Sequence, residues 1–124
     1  MTDFKQDRAI YLQMAERICD EILAGKYNAD DRIPSVRELA VLLEVNTNTV
    51  VKTYELLLQW EVIYTKRGLG YFVTTDALKK IRQTRSSKFM NENLPELFRQ
   101  MELLDIPIET VIKEWEVFRV NKNQ

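Results

Sequence analysis

The chain has 124 residues, 45% of them apolar and 30% charged, with a formal net charge of −1, which fits one compact domain or a small domain with an oligomerisation element. No apolar run approaches the roughly 20 residues that cross a bilayer, and the N-terminal MTDFKQDR lacks the apolar core of a secretory signal, so we expect a cytoplasmic protein without a membrane partner. Because histidine is absent and Cys19 is the only cysteine, a Cys/His zinc site and an internal disulfide are excluded, and we expect no metal, no cofactor and no catalytic residues, hence no enzyme.

A first helix is predicted over residues 10–23, because two rows of apolar residues recur four positions apart. One row is Ile10, Met14, Ile18 and Ile22, and the adjacent row is Tyr11, Ala15, Cys19 and Leu23. Gly25 is placed to end this helix. Cys19 lies among the apolar positions, so we expect a buried thiol rather than a redox sensor.

A second helix is predicted after a polar link over residues 28–32 and Pro34. Ser35 and Glu38 fit a capping box, in which each side chain bonds to the backbone N–H of the other residue. The residues expected to face inward from this helix are Leu39, Leu42 and Leu43.

A third helix follows a turn over residues 44–46 that is short enough for a helix-turn-helix. Either Asn46 or Thr47 can cap this helix, which is expected to run to about Trp60. Its expected core face consists of Val50, Tyr54, Leu57 and Leu58.

A β-hairpin is predicted next, because residues 62–65 and 71–74 are β-branched or aromatic. Between them lies Lys66-Arg67-Gly68-Leu69-Gly70, whose two glycines can supply the positive φ angles of a tight turn. The Gly-x-Gly of this turn closes a hairpin instead of opening a helix, so it is not a dinucleotide fingerprint. Two helices followed by such a hairpin indicate a winged helix-turn-helix.

The remaining residues predict a broken helical tail. Asp76 can cap a helix that starts at Ala77, while Ser86-Ser87 weaken that helix and Leu94-Pro95 should break or kink it. Two apolar stripes follow, formed by Leu94, Leu97, Phe98, Met101 and Leu104, and by Ile108, Val111, Ile112, Trp115 and Phe118. A tail of this length cannot form a large hydrophobic core of its own. Its apolar stripes must therefore be covered by the N-terminal domain or by a second copy of the tail.

We therefore expect a mainly α protein with a small β-hairpin: a winged helix-turn-helix domain over residues 1–75, followed by a short helical C-terminal dimerisation tail over residues 76–124. The expected dimer interface comprises Leu97, Phe98, Met101, Leu104, Val111, Ile112 and Trp115. Trp60 is expected in the core or at an interface, and so is Trp115.

Positive charge is concentrated over the predicted motif. The charge balance is −3 over residues 1–31, +5 over residues 32–88 and −3 over residues 89–124. A nucleic-acid surface requires local positive potential rather than a basic whole. This distribution is compatible with DNA binding, although chance clustering would also produce it.

Three motifs occur in order: Ile33-Pro34-Ser35-x-Arg37-x-Leu39-Ala40, Val45-Asn46-Thr47-Asn48-Thr49-Val50, and Lys66-Arg67-Gly68-x-Gly70-x-Phe72-Val73. With the opening Ile10-Tyr11-x-Gln13, they resemble the GntR family of bacterial transcription regulators. The Asn-x-Asn-Thr-Val segment, the following Lys52-x-Tyr54 and the short tail are similar to the small YtrA subfamily. Two positions depart from the family pattern: Thr47 stands where many members have Arg, and Ala29-Asp30 stand where Pro-Gly is usual.

The predicted DNA contacts begin with the third helix. The second helix of a helix-turn-helix places its N-terminal residues against base edges in the major groove, here Thr47, Asn48 and Thr49. Asparagine can pair with adenine through two hydrogen bonds, and threonine offers a hydroxyl and a methyl group. Lys52 lies one turn later and is placed for a phosphate or a guanine. Capping of the helix is the alternative role for Asn46 and Thr49.

Further DNA contacts are predicted on the second helix and the hairpin. Ser35 can bond to a phosphate, and the resemblance implies that Arg37 contacts the backbone or a guanine. The alternative for Arg37 is a surface ion pair with Glu38 or Glu44. At the hairpin tip, Lys66, Arg67 and Gly68 are expected at the minor groove, where cationic side chains are favoured; the alternative is a solvated turn.

The sequence thus predicts a homodimeric, sequence-specific regulator that binds double-stranded DNA at a palindromic operator. The resemblance implies a repressor of its own operon, with transporter genes nearby. The alternative is a winged helix used as a protein-interaction module with no specific operator. No effector is identified, because the tail is too short for a typical ligand pocket; a small ligand between protomers, near Trp115 and Phe118, stays open.

Overall fold

A computed structural model describes residues 9–123 of the chain. The elements in chain order are helices α1 (Ile10–Leu23), α2 (Val36–Leu43) and α3 (Thr47–Gln59), strands β1 (Ile63–Lys66) and β2 (Gly70–Val73), and helices α4 (Ala77–Lys88), α5 (Leu94–Leu104) and α6 (Ile108–Lys122). The chain divides into two compact units, with the boundary between Thr84 and Arg85. The predicted fold class, a winged helix-turn-helix with a helical tail, is confirmed.

The core of the first unit lies where α1 and α2 pack against α3. Its buried apolar residues are Met14, Ala15, Ile18, Cys19, Ile22, Ile33, Leu39, Ala40, Val50, Tyr54, Leu57, Val62, Ile63, Val73, Ala77 and Ile81. The predicted faces of α1 and α3 are therefore largely confirmed, including the buried Cys19 thiol. Ala77 and Ile81 extend this core into α4. At the edges of the predicted faces, Ile10 and Tyr11 are exposed, while Leu23 and Leu58 are half-buried.

The predicted inward face of α2 is wrong at one position. Leu39 is buried and Leu43 half-buried, but Leu42 is 69% exposed, and the buried neighbour of Leu39 is instead Ala40. At roughly 100° per residue, Leu39, Ala40 and Leu43 share one side of the helix, and Leu42 lies about a third of a turn away from its centre. A leucine-rich run of eight residues does not define which side faces the core; contact with α3 does.

The helix termini follow the predicted capping residues. The N–H of Glu38 donates to Ser35 Oγ at 3.1 Å and the N–H of Ser35 donates to Glu38 Oε1 at 2.9 Å, which completes the capping box of α2. Asn46, rather than Thr47, caps α3, because its side-chain oxygen accepts from the N–H of Asn48 at 2.8 Å. Gly25 follows α1 with φ of 87°, in the left-handed region that suits glycine after a helix.

The hairpin pairs β1 and β2 antiparallel, with Ile63 opposite Val73 and Lys66 opposite Gly70. Its turn is closed by the N–H of Leu69, which donates to the carbonyl of Lys66 at 2.9 Å. The segment before α2 pairs with the outer side of the hairpin at one residue, because Arg32 forms an isolated antiparallel β-bridge with Phe72.

Asp30, at the position where the family pattern has glycine, adopts φ of 67°. Aspartate is among the few residues that enter this region readily. Its N–H donates to the carbonyl of Val73 at 2.8 Å, and its carboxylate accepts from the Tyr64 hydroxyl at 2.7 Å. The turn is therefore held by bonds to the hairpin instead of by the freedom of a glycine.

Of the two outcomes predicted at Leu94-Pro95, a break or a kink, the break does not occur. A π-helical turn, Phe89–Asn93, joins α4 to α5, so the helical backbone continues through Pro95. Proline lacks an N–H and its ring clashes with the preceding turn of an α-helix, and a wider π turn relieves that conflict. The helix ends instead at Asp105, which has φ of 56°, and Pro107 occupies the position before α6 without a side-chain capping bond.

The second unit, described over residues 85–123, contains no buried residue in that range. Its partly buried apolar residues are Leu94, Met101 and Val111. Trp115 and Phe118 stack on each other with centroids 5.9 Å apart, yet both are more than half exposed. Within residues 9–123, no helix has the length and apolarity needed to cross a bilayer.

Candidate nucleic-acid interface

The N-terminal turn of α2 presents Ser35 and Arg37. Ser35 is half-buried in its capping box, and Arg37 is exposed. The carboxylate of Glu38 accepts from the Ser35 N–H and pairs with Arg32, and no ion pair joins Arg37 to either Glu38 or Glu44. The surface ion pair considered as the alternative role of Arg37 is therefore not formed.

The first turn of α3 presents polar side chains beside the positive end of the helix dipole. Thr47 and Asn48 are exposed, and Thr49 is half-buried. Since Asn46 caps the helix, Asn48 is not needed as its cap. Lys52 is exposed and lies four residues after Asn48, so the two side chains share one outward face.

Val51, an apolar side chain on that same face, is not among the predicted DNA-binding residues. Val51 is 39% exposed and lies three residues after Asn48, next to Lys52. A methyl group at this place can contact the methyl group of thymine. The sequence signal for this residue is its helical spacing of three from Asn48.

Two side chains fix the orientation of α3. Thr53 is buried, and its hydroxyl lies 2.9 Å from the carbonyl of Tyr11 in α1 and 3.0 Å from that of Thr49. The buried Tyr54 hydroxyl donates to the carbonyl of Pro34, just before α2. Burial raises the pKa of Tyr54, so the phenol stays a neutral donor.

Thr53 is likewise not among the residues predicted for the core face of the third helix. Its signal was positional, because it lies three residues after Val50 and four before Leu57, on the predicted core face. Tyr54 additionally meets Tyr71 of the hairpin edge-on, with ring centroids 4.7 Å apart. These contacts fix α3 relative to α1, to the start of α2 and to the hairpin.

The hairpin of β1 and β2 is the wing of this fold. Its exposed turn carries Lys66, Arg67 and Gly68. Gly68 has φ of 77°, which glycine adopts without steric cost. The Lys66 ammonium lies 4.8 Å from the centroid of the Phe72 ring, so an aromatic face supports this cation. Arg67 is exposed in the turn of the hairpin and makes no ion pair among residues 9–123.

The predicted DNA residues all belong to the first unit, on the starts of α2 and α3 and on the wing. The wing is joined to α2 by Arg32, whose guanidinium contacts both Glu38 and the carbonyl of Leu69. The predicted dimer residues all belong to the second unit. Within residues 9–123, no group of three or more acidic or cysteine side chains is arranged to hold a metal ion.

Comparison with known proteins identifies the first unit. The family model described as "Bacterial regulatory proteins, gntR family" matches residues 10–73. A crystal structure of a putative GntR-family transcriptional regulator from Bacteroides thetaiotaomicron is 46% identical, with a TM-score of 0.77, and the match covers 92% of this chain and 99% of that one.

Two further matches bear on function. The transcriptional repressor YtrA of Bacillus subtilis is 29% identical over 91% of this chain and 85% of its own length. The DNA-binding domain of AraR, solved in complex with an operator, is 33% identical with a TM-score of 0.50, and the match covers 52% of this chain and 77% of that one. Domains of this type therefore bind double-stranded operator DNA.

Proposed function

The chain belongs to the gntR family of bacterial regulatory proteins, and from this premise we propose that it represses transcription as a homodimer bound to a palindromic operator. Its relatives are named transcriptional regulators, which implies DNA-binding regulation and not catalysis. The repressor role is supported by the name of YtrA, a transcriptional repressor. The family resemblance suggests the gene's own operon, with transporter genes, as the target.

The observation that carries the DNA-binding proposal is the start of α3. The side chain of Asn46 caps the N-terminus of the helix, so the side chains of Asn48 and Lys52 are not needed for capping. Both residues are exposed on one outward face. In the proposed complex that face lies in the major groove, with Thr47, Asn48 and Thr49 at base edges. Ser35, Arg37 and Lys52 contact phosphates or guanines.

The wing supplies the minor-groove contacts in this proposal. Lys66, Arg67 and Gly68 lie at the minor groove, and the side chain of Arg67 enters it. A narrow, electronegative groove favours a guanidinium. A turn with glycine at its apex keeps the approach free of a bulky side chain.

The homodimer proposal rests on the exposed apolar surface of residues 85–123. Leu97, Phe98, Ile112 and Trp115 are 40%, 49%, 48% and 57% exposed. Large apolar side chains exposed in this number are typical of an interaction surface. A two-fold axis would bring two equal stripes together and place two copies of α3 on two operator half-sites. We propose that residues 1–75 bind DNA and that residues 76–124, of which Ala77 and Ile81 also pack in the core of the first unit, serve dimerisation.

The proposal is tested with the purified chain and fluorescently labelled DNA from upstream of its own gene. Fluorescence anisotropy is measured at two salt concentrations, with and without excess scrambled competitor. We expect binding that weakens with salt, because phosphate contacts release counterions, and that survives the competitor. Equal affinity for scrambled DNA would contradict an operator at this site, and absence of binding at low salt would favour the protein-interaction alternative.

A further inference from the structure

The side chain of Arg32 connects the wing to the first turn of α2. Its Nε donates to the carbonyl of Leu69 in the wing turn at 3.3 Å, and its Nη2 donates to Glu38 Oε1 at 3.2 Å. The same carboxylate oxygen accepts from the N–H of Ser35 at 2.9 Å. One guanidinium thus connects Glu38 at the start of α2 with Leu69, which lies 37 residues after Arg32.

The backbone around Arg32 is shaped for this contact. Arg32 forms a β-bridge with Phe72, and the next residue, Ile33, donates its N–H to the carbonyl of Tyr71 at 3.0 Å. A Cβ added to Gly70 would lie 3.3 Å from Arg32 Nε, closer than ordinary van der Waals contact. Gly70 therefore leaves the space that the guanidinium occupies.

We propose that Arg32 is a positioning residue for DNA binding, which holds the wing at a fixed place relative to the start of α2. The inference rests on the proposed DNA-binding function and deepens it. Ser35 and Arg37 lie at one end of this bridge, and Arg67 lies in the turn at the other end. The bridge sets the separation between the groups that approach the major-groove side and the group that approaches the minor groove.

The expected benefit is preorganisation. A hairpin of four-residue strands with an exposed turn loses conformational freedom when it docks, and that loss weakens binding unless the free protein has already ordered it. The bridge orders the turn through the Leu69 carbonyl before DNA arrives. Arg32 therefore strengthens binding through Arg67 rather than by touching DNA.

A direct phosphate contact by Arg32 is the competing explanation, since its side chain is 49% exposed. Glu38→Gln separates the two, because glutamine keeps an oxygen for the capping box but removes the negative charge that holds Arg32. If Arg32 positions the wing, Glu38→Gln lowers operator affinity. If Arg32 contacts a phosphate, loss of a nearby negative charge leaves affinity equal or raises it, which overturns the proposal.

A double-mutant cycle with the wing gives the quantitative test. We expect Arg32→Ala to lower affinity about tenfold in the parent but less than about twofold in the Arg67→Ala background, because the two residues act through one element. Arg32→Lys should behave like Arg32→Ala, because an ammonium lacks the planar fork that reaches both acceptors. Additive losses, or full rescue by lysine, would overturn the proposal.

A measurement without DNA tests the Arg32 bridge separately from the proposed DNA-binding function. Hydrogen exchange of the Leu69 amide, which closes the wing turn, should accelerate in Arg32→Ala and in Glu38→Gln, while the amides of Met14 and Leu57 in the core keep the parent rates. If the variants exchange faster at Leu69 but the parent protein binds no operator, the proposed function is wrong and the bridge is supported. If the parent binds its operator but the variants exchange at the parent rate, the bridge alone is overturned.

Discussion

At the residue scale, two asparagines two positions apart have different surroundings. The side-chain oxygen of Asn46 accepts from the backbone of Asn48 and completes the start of α3. The side chain of Asn48 is exposed on the outward face of that helix. Since a carboxamide can form two hydrogen bonds with adenine, Asn48 is the residue on which we expect base discrimination to depend most.

Asn48→Ala should reduce discrimination between operator variants and leave non-specific affinity almost unchanged. The expected loss at the matching base pair is about 1–3 kcal/mol, the usual value of a good bidentate contact. Competition titrations with single-base operator variants measure this difference. Gln59→Ala, at the far end of α3, removes an exposed carboxamide and is the control. Parent-like discrimination by Asn48→Ala would exclude α3 as the base-contacting helix.

Tyr54→Phe should destabilise the fold by about 1 kcal/mol, because the buried hydroxyl loses its bond to the Pro34 carbonyl while the ring keeps its packing. Urea unfolding measures the change in the free energy of unfolding. Tyr11→Phe, at a side chain that is 37% exposed, serves as the control. A cost for Tyr54→Phe no larger than that for Tyr11→Phe would show that this bond does not hold α2 in place.

The capping carboxylate predicts an acid dependence. The pKa of Glu38 is lowered by the backbone N–H of Ser35, then by its hydroxyl and by Arg32. A lowered folded-state pKa gives stabilisation that is present above the ordinary value and lost as the pH falls through the folded-state pKa. The stability advantage of the parent over Glu38→Ala should therefore shrink between about pH 6 and about pH 3, as measured by urea unfolding. An advantage that is equal at both pH values would contradict this.

At the element scale, helix existence and capping were predictable, whereas the buried side of a short helix was not. Ser35, Glu38 and Asn46 act locally, so the sequence alone identified their caps. Leu42 was misplaced because α2 is apolar on several sides and its orientation is set by α3. The helix does not break at Pro95, because a π turn, which has no strong sequence signal, accommodates the proline. The bridge through Arg32 joins distant segments and requires the fold to be seen.

The wing predicts a specific salt dependence. Arg67→Ala should lower the affinity for DNA and reduce the slope of log affinity against log salt concentration by about 1. The slope falls because the variant has one cation fewer near the phosphates and therefore releases fewer counterions on binding. The measurement is anisotropy titration over a salt series. Lys113→Ala, at an exposed lysine of α6, should keep the parent slope. Equal slopes for parent and Arg67→Ala would mean that the wing does not approach the DNA backbone.

At the scale of the whole molecule, exposed apolar surface over residues 85–123 predicts self-association. Leu97→Glu should yield a monomer, because a charge in an apolar interface costs several kcal/mol. Leu103→Glu is a matched control, since Leu103 is also a leucine of α5 but lies off the stripe and is 70% exposed. Light scattering after size-exclusion chromatography distinguishes the outcomes. A dimer that survives Leu97→Glu and dissociates with Leu103→Glu would place the interface on the other side of α5.

The central claim, a dimer that recognises a palindrome through α3, is tested most directly by selection of bound sites from random DNA followed by sequencing. The account predicts an inverted repeat whose half-sites are about 10 base pairs, or a multiple of that, apart from centre to centre. It also predicts that Asn48→Ala loses sequence preference at one position in both half-sites. Enrichment of a single, unrepeated motif, or of no motif, would contradict it.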